Sequence, residues 1–205
     1  MTGTFKVREL RVDDVRAAAD LHRDAFPGFF LTSMGSPMLR ALYLGYSRDP
    51  DCVAICATSA SGRLLAVVAG PVEPKGHFLR NLLKDMPRFA WAASYALLRR
   101  PSIVGRVARG LFYRGDTPIQ SEGALLSTIC VSPEAQSAGL GAHMVDEWLT
   151  RVAQMGPKSA YLTTDAEDND RVNRFYQRVG WTLAGSYRTP QDRVMNVYEI
   201  AVRRE

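Results

Sequence analysis

The chain has 205 residues, of which 46% are hydrophobic and 23% are charged, and its 26 lysines and arginines outnumber its 21 acidic residues. This length and composition predict one soluble domain and leave little room for two separate cores. No apolar run approaches the ~20 residues that cross a bilayer, and the first residues lack the hydrophobic segment of a signal peptide, so we expect a cytoplasmic protein.

Hydrophobic periodicity predicts the following elements in chain order. The first half reads as a strand, two helices and a strand hairpin that turns at Ser61 and Gly62, over residues 5–10, 12–26, 37–46, 51–58 and 63–71. The second half reads as a strand, a helix, a strand, a helix and two strands, over residues 123–131, 138–154, 159–164, 169–179, 181–188 and 193–202. This order predicts a mixed α/β sheet with a central βαβ unit.

Residues 128–142, TICVSPEAQSAGLGA, place an apolar strand, a polar turn and the start of a helix in direct succession. Small residues in the turn allow a ligand to approach the backbone, and Gly139 and Gly141 permit turns in which successive N–H groups converge. The first N–H groups of the helix have no helical partner, and the helix dipole favours an anion there, so phosphate is the expected occupant. The alternative is a turn that only reverses the chain direction.

A second motif, NDRVNRFYQRVGW, begins at Asn169. Val172, Phe175, Tyr176 and Val179 recur at helical spacing and form one apolar face. Tyr176 is therefore either a core residue or a hydroxyl group directed at a ligand.

Together, Gln-X-X-Gly-X-Gly and the later Asn-X6-Tyr resemble the motifs of the GNAT acetyltransferases. The resemblance covers residues 123–202 and, more loosely, 5–72, whereas residues 75–115 do not fit the short hairpin usual in that family. It implies one N-acetyltransferase domain over residues 1–205, with a mostly antiparallel mixed sheet and a helical insertion at 75–115. It also implies acetyl-CoA as co-substrate and a primary amine as acceptor.

The resemblance also implies roles for individual residues. Ile129, Cys130 and Val131 would bind the pantetheine arm and thioester through their backbone. Asn169 would contact the cofactor arm, and Tyr176 would protonate the departing thiolate, for which a phenol with a pKa of about 10 is suited. The pyrophosphate would be bound by the loop residues Gln136, Ser137, Ala138, Gly139, Leu140, Gly141 and Ala142.

Two other requirements of the chemistry concern an oxyanion donor and a base. The N–H of Cys130 or Val131 could stabilise the oxyanion formed when an amine attacks a thioester. The strand glutamate that many relatives use as a base is absent, because ALLSTICV and AYLTT offer only hydroxyl groups. Glu122, Asp165, Glu167 or a water molecule held by Thr164 remain alternatives, and the base is left unassigned.

The cysteines Cys52, Cys56 and Cys130 have neither a disulfide framework nor metal-ligand spacing, so we expect buried thiols and no metal. No histidine is near Cys130 in sequence, which argues against a nucleophilic cysteine.

Basic charge is concentrated between residues 75 and 115, where nine basic residues face one acid, while the rest of the chain has a net charge of −3. This segment reads as two or three short helices broken at Pro87 and Pro101. Three roles are open: a flap packed on the sheet, a docking surface for an anionic acceptor, and an amphipathic element for a membrane surface or a protein partner. No nucleic acid is expected, because no groove-reading motif is present. A homodimer is compatible with the sequence.

The acceptor site is expected at residues 25–36 and 186–193, where Phe29, Phe30, Tyr187 and Arg188 are candidate linings. Their aromatic character favours a pocket over an open groove. A resemblance to acetyltransferases of bacterial polysaccharide pathways favours an amino sugar, followed by protein or peptide N-terminal amines. A non-catalytic CoA-binding sensory module is the alternative from another class.

Overall fold

The structure, a computed structural model, describes residues 5–99, 119, 121–190 and 192–203. Its strands form two four-stranded sheets. The first is antiparallel, with the order β1-β2-β3-β5, where β1 is Phe5–Glu9, β2 is Cys52–Ser59, β3 is Leu64–Pro71 and β5 is Thr128–Val131. The second has the order β4-β6-β8-β7, where β4 is Ala124–Leu125, β6 is Ser159–Asp165, β7 is Thr182–Arg188 and β8 is Val194–Ala201. Only β4 and β6 are parallel among these pairs, so the expected mixed and mostly antiparallel fold is confirmed.

Helices cover both faces of the first sheet. Helices α1 (Val15–Ala25) and α3 (Ser36–Arg48) pack on one face, around Leu39 and Tyr43. Helices α6 (Leu140–Met155) and α7 (Asp170–Arg178) contribute to the core on the other face. The indole of Trp148 is fully buried there and donates to the carbonyl of Val53 at 3.1 Å, which fixes α6 on β2. Cover on both faces explains why residues 53–58 of β2 are all buried.

The insertion begins with α4 (His77–Lys84) and α5 (Met86–Arg99), which meet at Asp85, so the helices break before the predicted position and Pro87 lies in the first turn of α5. A short helix, α2 (Phe30–Ser33), precedes α3. The buried side chains of α5 pack against Met34, Met38 and Ala41, which belong to α3 and the segment before it. This packing differs from that expected of a flap, which would lie on the sheet. The predicted break at Pro101 lies outside the described residues.

The single strand predicted over residues 123–131 is wrong, because β4 and β5 belong to different sheets. The N–H of Leu126 donates to the carbonyl of Tyr161 on β6 at 2.9 Å, but that of Ser127 donates to Ala69 on β3 at 3.1 Å. Gly70 permits this change of partner, since a Cβ there would lie 1.8 Å from the carbonyl oxygen of Leu125. The two sheets therefore part beyond Leu126.

Among the described residues, no helix combines the length and the apolar character needed to span a membrane.

Candidate active site

The parting of the sheets exposes one edge of β5. The N–H of Ser132 donates to the carbonyl of Leu65 on β3 at 2.8 Å, and Cys130 opposes Val67, two residues along each strand. Because alternate residues of an antiparallel strand direct their backbone groups to the same side, Cys130 also faces β3. Ile129 and Val131 therefore present their N–H and C=O groups to the open edge. Of the two oxyanion donors predicted from the sequence, only Val131 fits this geometry.

Gln136 braces the end of the open edge. Its Nε2 donates to the carbonyl of Val131 at 3.3 Å, and its Oε1 accepts from Arg171 of α7 at 2.9 Å. The Val131 carbonyl thus faces the gap rather than β3, as the alternation requires. Gln136 ties β5 to the helix that carries Tyr176. The side chains of Ser137 and Ala138 lie outside the described part of the structure.

The turn before α6 is made by Gly139, whose φ is 72° and ψ is 5°. Only glycine adopts this left-handed conformation without strain. A Cβ at Gly139 would meet no atom within 4 Å, so the space beside this backbone is open. The first helical hydrogen bond runs from the N–H of His143 to the carbonyl of Gly139. The preceding N–H groups of Leu140, Gly141 and Ala142 have no partner within this helix, an arrangement that favours an anion at a helix N-terminus.

Gly141 has a packing role beside that site. A Cβ there would lie 3.5 Å from the ring of Phe175 and 3.7 Å from Val131, so the absence of a side chain lets α7 approach the start of α6. Leu140 is buried in the core. Only its N–H is therefore available to a ligand.

Asn169 precedes α7 and links it to β6. Its Nδ2 donates to Oγ1 of Thr164 at 2.8 Å and to the carbonyl of Asp165 at 3.0 Å. These bonds engage the amide nitrogen and position α7 against the end of β6. A ligand at this point would be contacted by the Oδ1 atom.

The sequence reasoning missed Asn173, one turn further along α7. Its Nδ2 donates to the Asp165 carbonyl at 2.9 Å, and its Oδ1 accepts from Asn196 and from the hydroxyl of Tyr198, each at 3.0 Å. This asparagine therefore locks α7 to both β6 and β8. Its recurrence four residues after Asn169, on one face of the helix, was the available signal.

Tyr176 is 6% exposed and lies among the rings of Phe175, Trp181 and Tyr198. Within the described ranges no hydrogen bond of its hydroxyl is observed, and its oxygen is not among the buried side-chain atoms that lack a partner. Burial raises the pKa of this phenol well above its usual value, and nearby Cys130 raises it further. Tyr176 thus holds its proton at neutral pH and has it free to donate.

Cys130 borders a buried polar cluster that the sequence did not predict. The hydroxyl of Tyr43 lies 3.0 Å from Nδ1 of His22 and 3.5 Å from Sγ of Cys130, and Sγ lies 3.7 Å from the same His22 nitrogen. Burial lowers the pKa of His22 to about 4 and raises that of Cys130 to about 11. Both groups are therefore neutral near pH 7. A histidine that is distant in sequence lies near this thiol, but the pair lacks the thiolate that a nucleophile needs.

None of the described contacts places a carboxylate that was considered as the general base in the cleft. Asp165 is paired with Arg193 through two oxygens at 2.7 Å, and Thr164 accepts from Asn169. Glu122 and Glu167 are exposed. The base remains unassigned.

The candidate acceptor residues fall into two groups. Phe29 is 47% exposed and packs on Phe26, which in turn packs on His22 at 5.0 Å between ring centroids. Arg188 is exposed, and its Nη1 donates to Oδ1 of Asp192 at 2.6 Å, while Tyr187 is half-buried. The side chain of Phe30 lies outside the described residues. Only the first group is thus linked by described contacts to the neighbourhood of Cys130.

The model of the acetyltransferase (GNAT) family matches residues 16–181 of the chain. The chain belongs to the GNAT acetyltransferase family. GNAT proteins use acetyl-CoA and an acceptor substrate, and this GNAT chain is accordingly an acyltransferase. No curated protein has a sequence that matches it.

Solved structures share the GNAT fold. The protein is similar to SsHAT, with 19% identity and a TM-score of 0.70 over 98% of this chain and 100% of the other. It is similar to the ribosomal-protein-S18-alanine N-acetyltransferase of Escherichia coli, with 12% identity and a TM-score of 0.60 over 98% and 96%. It is also similar to mutant forms of the spermidine/spermine N-acetyltransferase SpeG of Vibrio cholerae, with 13% identity and a TM-score of 0.57 over 96% and 93%. At these identities the likeness establishes the fold and leaves the acceptor open.

Proposed function

We propose that this GNAT protein transfers the acetyl group of acetyl-CoA directly to a primary amine of a small molecule, with an amino sugar as the acceptor class. The observation that carries the proposal is the gap between β5 and β6. The open turn at Gly139 lies near one end of the gap, and α7 carries the proton-bearing hydroxyl of Tyr176 beside Cys130.

The backbone supplies the binding groups. The N–H groups of residues 140–142 would bind the pyrophosphate, and the open edge at Ile129 and Val131 would bind the pantetheine arm. Asn169 would add a side-chain contact to that arm. The open space at Gly139 fits a bulky anion, because no side chain occupies it.

Tyr176 would donate its proton to the sulfur when the thiolate leaves. The N–H of Val131 would stabilise the charge that develops on the carbonyl oxygen, provided that the oxygen lies at the open edge. No described side chain needs to form a covalent intermediate, which agrees with the neutral state of Cys130. Transfer would therefore be direct.

The aromatic group formed by Phe26 and Phe29 supports a small acceptor. An exposed phenyl face can pack on the apolar face of a sugar ring, and Phe29 is half exposed next to the half-buried Phe26. The solved GNAT structures named above include a peptide-modifying and a polyamine-modifying enzyme by name. The amino sugar therefore rests on the aromatic residues of this chain and on its resemblance to acetyltransferases of bacterial polysaccharide pathways.

Substitution of Gly139 by aspartate tests the cofactor site. A carboxylate there would fill the open space and repel phosphate, so we expect the Kd for acetyl-CoA, measured by calorimetry, to rise at least 100-fold, equivalent to about 2.7 kcal/mol. Gly62→Asp is the matched control, because Gly62 also has a positive φ, of 80°, and no atom lies within 4 Å of a Cβ at that exposed glycine either. Equal binding by both variants would contradict the assignment of the loop.

A thiol-release screen with acetyl-CoA tests the acceptor. The panel contains amino sugars, polyamines and peptides with a free N-terminus, and we expect turnover with amino sugars. Turnover with peptides alone would establish the N-terminal acetyltransferase alternative. Binding of acetyl-CoA without any turnover would favour the non-catalytic sensory module.

A further inference from the structure

A carboxylate, a thiol and an imidazole meet outside the cleft. They belong to Asp49, Cys52 and His77, whose ligand atoms all lie within 4.8 Å of one another. Asp49 follows α3, Cys52 begins β2 and His77 begins α4, so three elements contribute one donor each. The three residues, between positions 49 and 77, are too far apart in the sequence to form a recognisable metal-ligand spacing.

One oxygen of Asp49 is buried without a partner. The side chain is 3% exposed, and its Oδ1 accepts from the N–H of Asp51 at 3.1 Å. Its Oδ2 has no hydrogen bond within the described part of the chain, although Nδ1 of His77 is only 3.4 Å away. Leaving a buried carboxylate oxygen unsatisfied is costly, so another group is expected to satisfy it.

The spacing of the donors is that of ligands around a tetrahedral ion. With zinc distances of about 2.0 Å to nitrogen and oxygen and about 2.3 Å to sulfur, the N···O and N···S separations in a tetrahedral site are about 3.3 Å and about 3.5 Å. The observed separations from Nδ1 of His77 are 3.4 Å to Oδ2 of Asp49 and 3.8 Å to Sγ of Cys52. Ligands of one ion direct their lone pairs at the ion rather than at each other, which accounts for the absence of a hydrogen bond between the carboxylate and the imidazole.

We propose that Asp49, Cys52 and His77 bind a zinc ion, with water as the fourth ligand. Nitrogen, sulfur and oxygen donors in one tetrahedral set suit this borderline-soft cation. The ring of Tyr46 stacks parallel to His77, and Nε2 of His77 lies 2.9 Å from the amide of Asn81. The Asn81 atom at this distance is Nδ2. With Nδ1 on the metal, Nε2 would carry the proton, and a rotation of the Asn81 amide that exchanges Nδ2 and Oδ1 would let the oxygen accept it, an outer contact typical of metal-bound histidine.

Some neighbouring charges favour a bound cation and others oppose it. Asp51 adds negative charge to the site, whereas Arg80 and Lys84 of α4 oppose a cation. The guanidinium of Arg80 already donates to the carbonyls of Lys75 and Glu73, at 2.7 Å and 3.3 Å. A surface hollow lined partly by Gly45, Arg48 and Asp49 opens beside the site and gives solvent a route to it.

A cysteine nucleophile activated by His77 and Asp49 is the competing interpretation. Such a triad needs sulfur on one ring nitrogen and a carboxylate hydrogen-bonded to the other. Here the sulfur is nearly equidistant from both nitrogens, at 3.6 Å and 3.8 Å, and the carboxylate oxygen is not hydrogen-bonded to either. The geometry favours a shared ion.

The ion would join the end of α3, the start of β2 and the start of α4. It would therefore anchor the basic insertion to the sheet near its first helix. This role is independent of acetyl transfer.

Calorimetric titration of the full chain, first freed of metal with a chelator, tests the proposal. We expect one zinc ion per chain and a higher Tm with zinc. Cobalt should give the intense absorption of a thiolate-bound ion. Asp49→Asn, Cys52→Ala and His77→Gln should each lose tight binding, and Asn81→Leu should weaken it about 10- to 100-fold.

Cys56→Ala is the matched control, because Cys56 is a buried thiol on the same strand and should leave zinc binding unchanged. Asp49→Asn keeps the Oδ1 acceptor for Asp51, and circular dichroism of each variant confirms that it is folded. Hydrogen exchange of residues 77–84 should slow with zinc in the wild-type chain only. Equal zinc affinity of the wild type and the folded Asp49→Asn and Cys52→Ala variants, or no thiolate absorption with cobalt, would overturn the proposal.

Discussion

Substitution of Tyr176 by phenylalanine separates a catalytic hydroxyl from a packing residue. The ring contacts with Phe175, Trp181 and Tyr198 remain in the variant, and no hydrogen bond of the hydroxyl is observed among the described residues. Removing the hydroxyl breaks no hydrogen bond observed among the described residues, so the free energy of unfolding should change by less than about 1 kcal/mol.

Turnover should respond differently. A positioned general acid contributes about 10²- to 10⁴-fold, which corresponds to about 2.7 to 5.4 kcal/mol of activation free energy. We therefore expect kcat, measured by thiol release, to fall by that factor, while the calorimetric Kd for acetyl-CoA stays unchanged. Because burial raises the pKa of Tyr176, the wild-type acid should stay protonated through pH 10, with no loss of kcat from its ionisation below that pH.

Tyr198→Phe is the matched control. Its hydroxyl donates to Oδ1 of Asn173 at 3.0 Å, so the variant should lose about 1 kcal/mol of stability and keep most of its turnover. If Tyr176→Phe keeps the wild-type kcat, the tyrosine is not the acid. If it loses stability as Tyr198→Phe does, the hydroxyl has a partner and the structural premise is wrong.

Two further variants test the geometry beside the cleft. Gly70→Ala should destabilise the fold by at least about 1–3 kcal/mol in urea and weaken acetyl-CoA binding, because its Cβ would lie 1.8 Å from a backbone oxygen. The control variant Gly28→Ala should change the free energy of unfolding by less than about 0.5 kcal/mol. His22 has a pKa of about 4 in the folded chain, below its ordinary value of 6.5. As the pH falls, the unfolded chain therefore binds a proton at this histidine before the folded chain does. The free energy of unfolding should fall by about 3 kcal/mol between pH 6.5 and pH 4. His22→Gln should remove this loss in urea titrations at each pH, and His143→Gln, at an exposed histidine, should retain it; an unchanged slope in His22→Gln would refute the buried neutral state.

Periodicity predicted most of the fold because it reports burial. The strand pair around Gly62, the helix after Gly139 and the helix with Tyr176 were all found within a few residues of their bounds, since each has one or two buried faces. The same reasoning predicts an anion site, because the glycine turn and the start of α6 are adjacent in sequence. These features depend on local contacts.

The partner of a strand is not encoded in its periodicity. Residues 124–131 are apolar on both faces whether they pair with one neighbour or change from β6 to β3, so the break after Leu126 was not predictable from that pattern. The signal lay at Gly70, more than fifty residues earlier, where a missing side chain makes room for the Leu125 carbonyl. The neighbours of Cys130 were missed for the same reason, because His22 and Tyr43 reach it from α1 and α3.

The break in the strand connects this glycine to the proposed chemistry. A continuous strand over residues 124–131 would have satisfied its backbone on both sides, and no ligand could have entered. The change of partner leaves the N–H and C=O of Ile129 and the N–H of Val131 at an open edge, where water or a ligand must satisfy them. It also places Val131 beside the turn that Gln136 braces and Gly139 makes. The space left by the missing side chain of Gly70 therefore allows the open edge of β5 to form, although Gly70 itself has no side chain that could contact a ligand there. A loss of acetyl-CoA affinity in a folded Gly70→Ala variant would demonstrate that link.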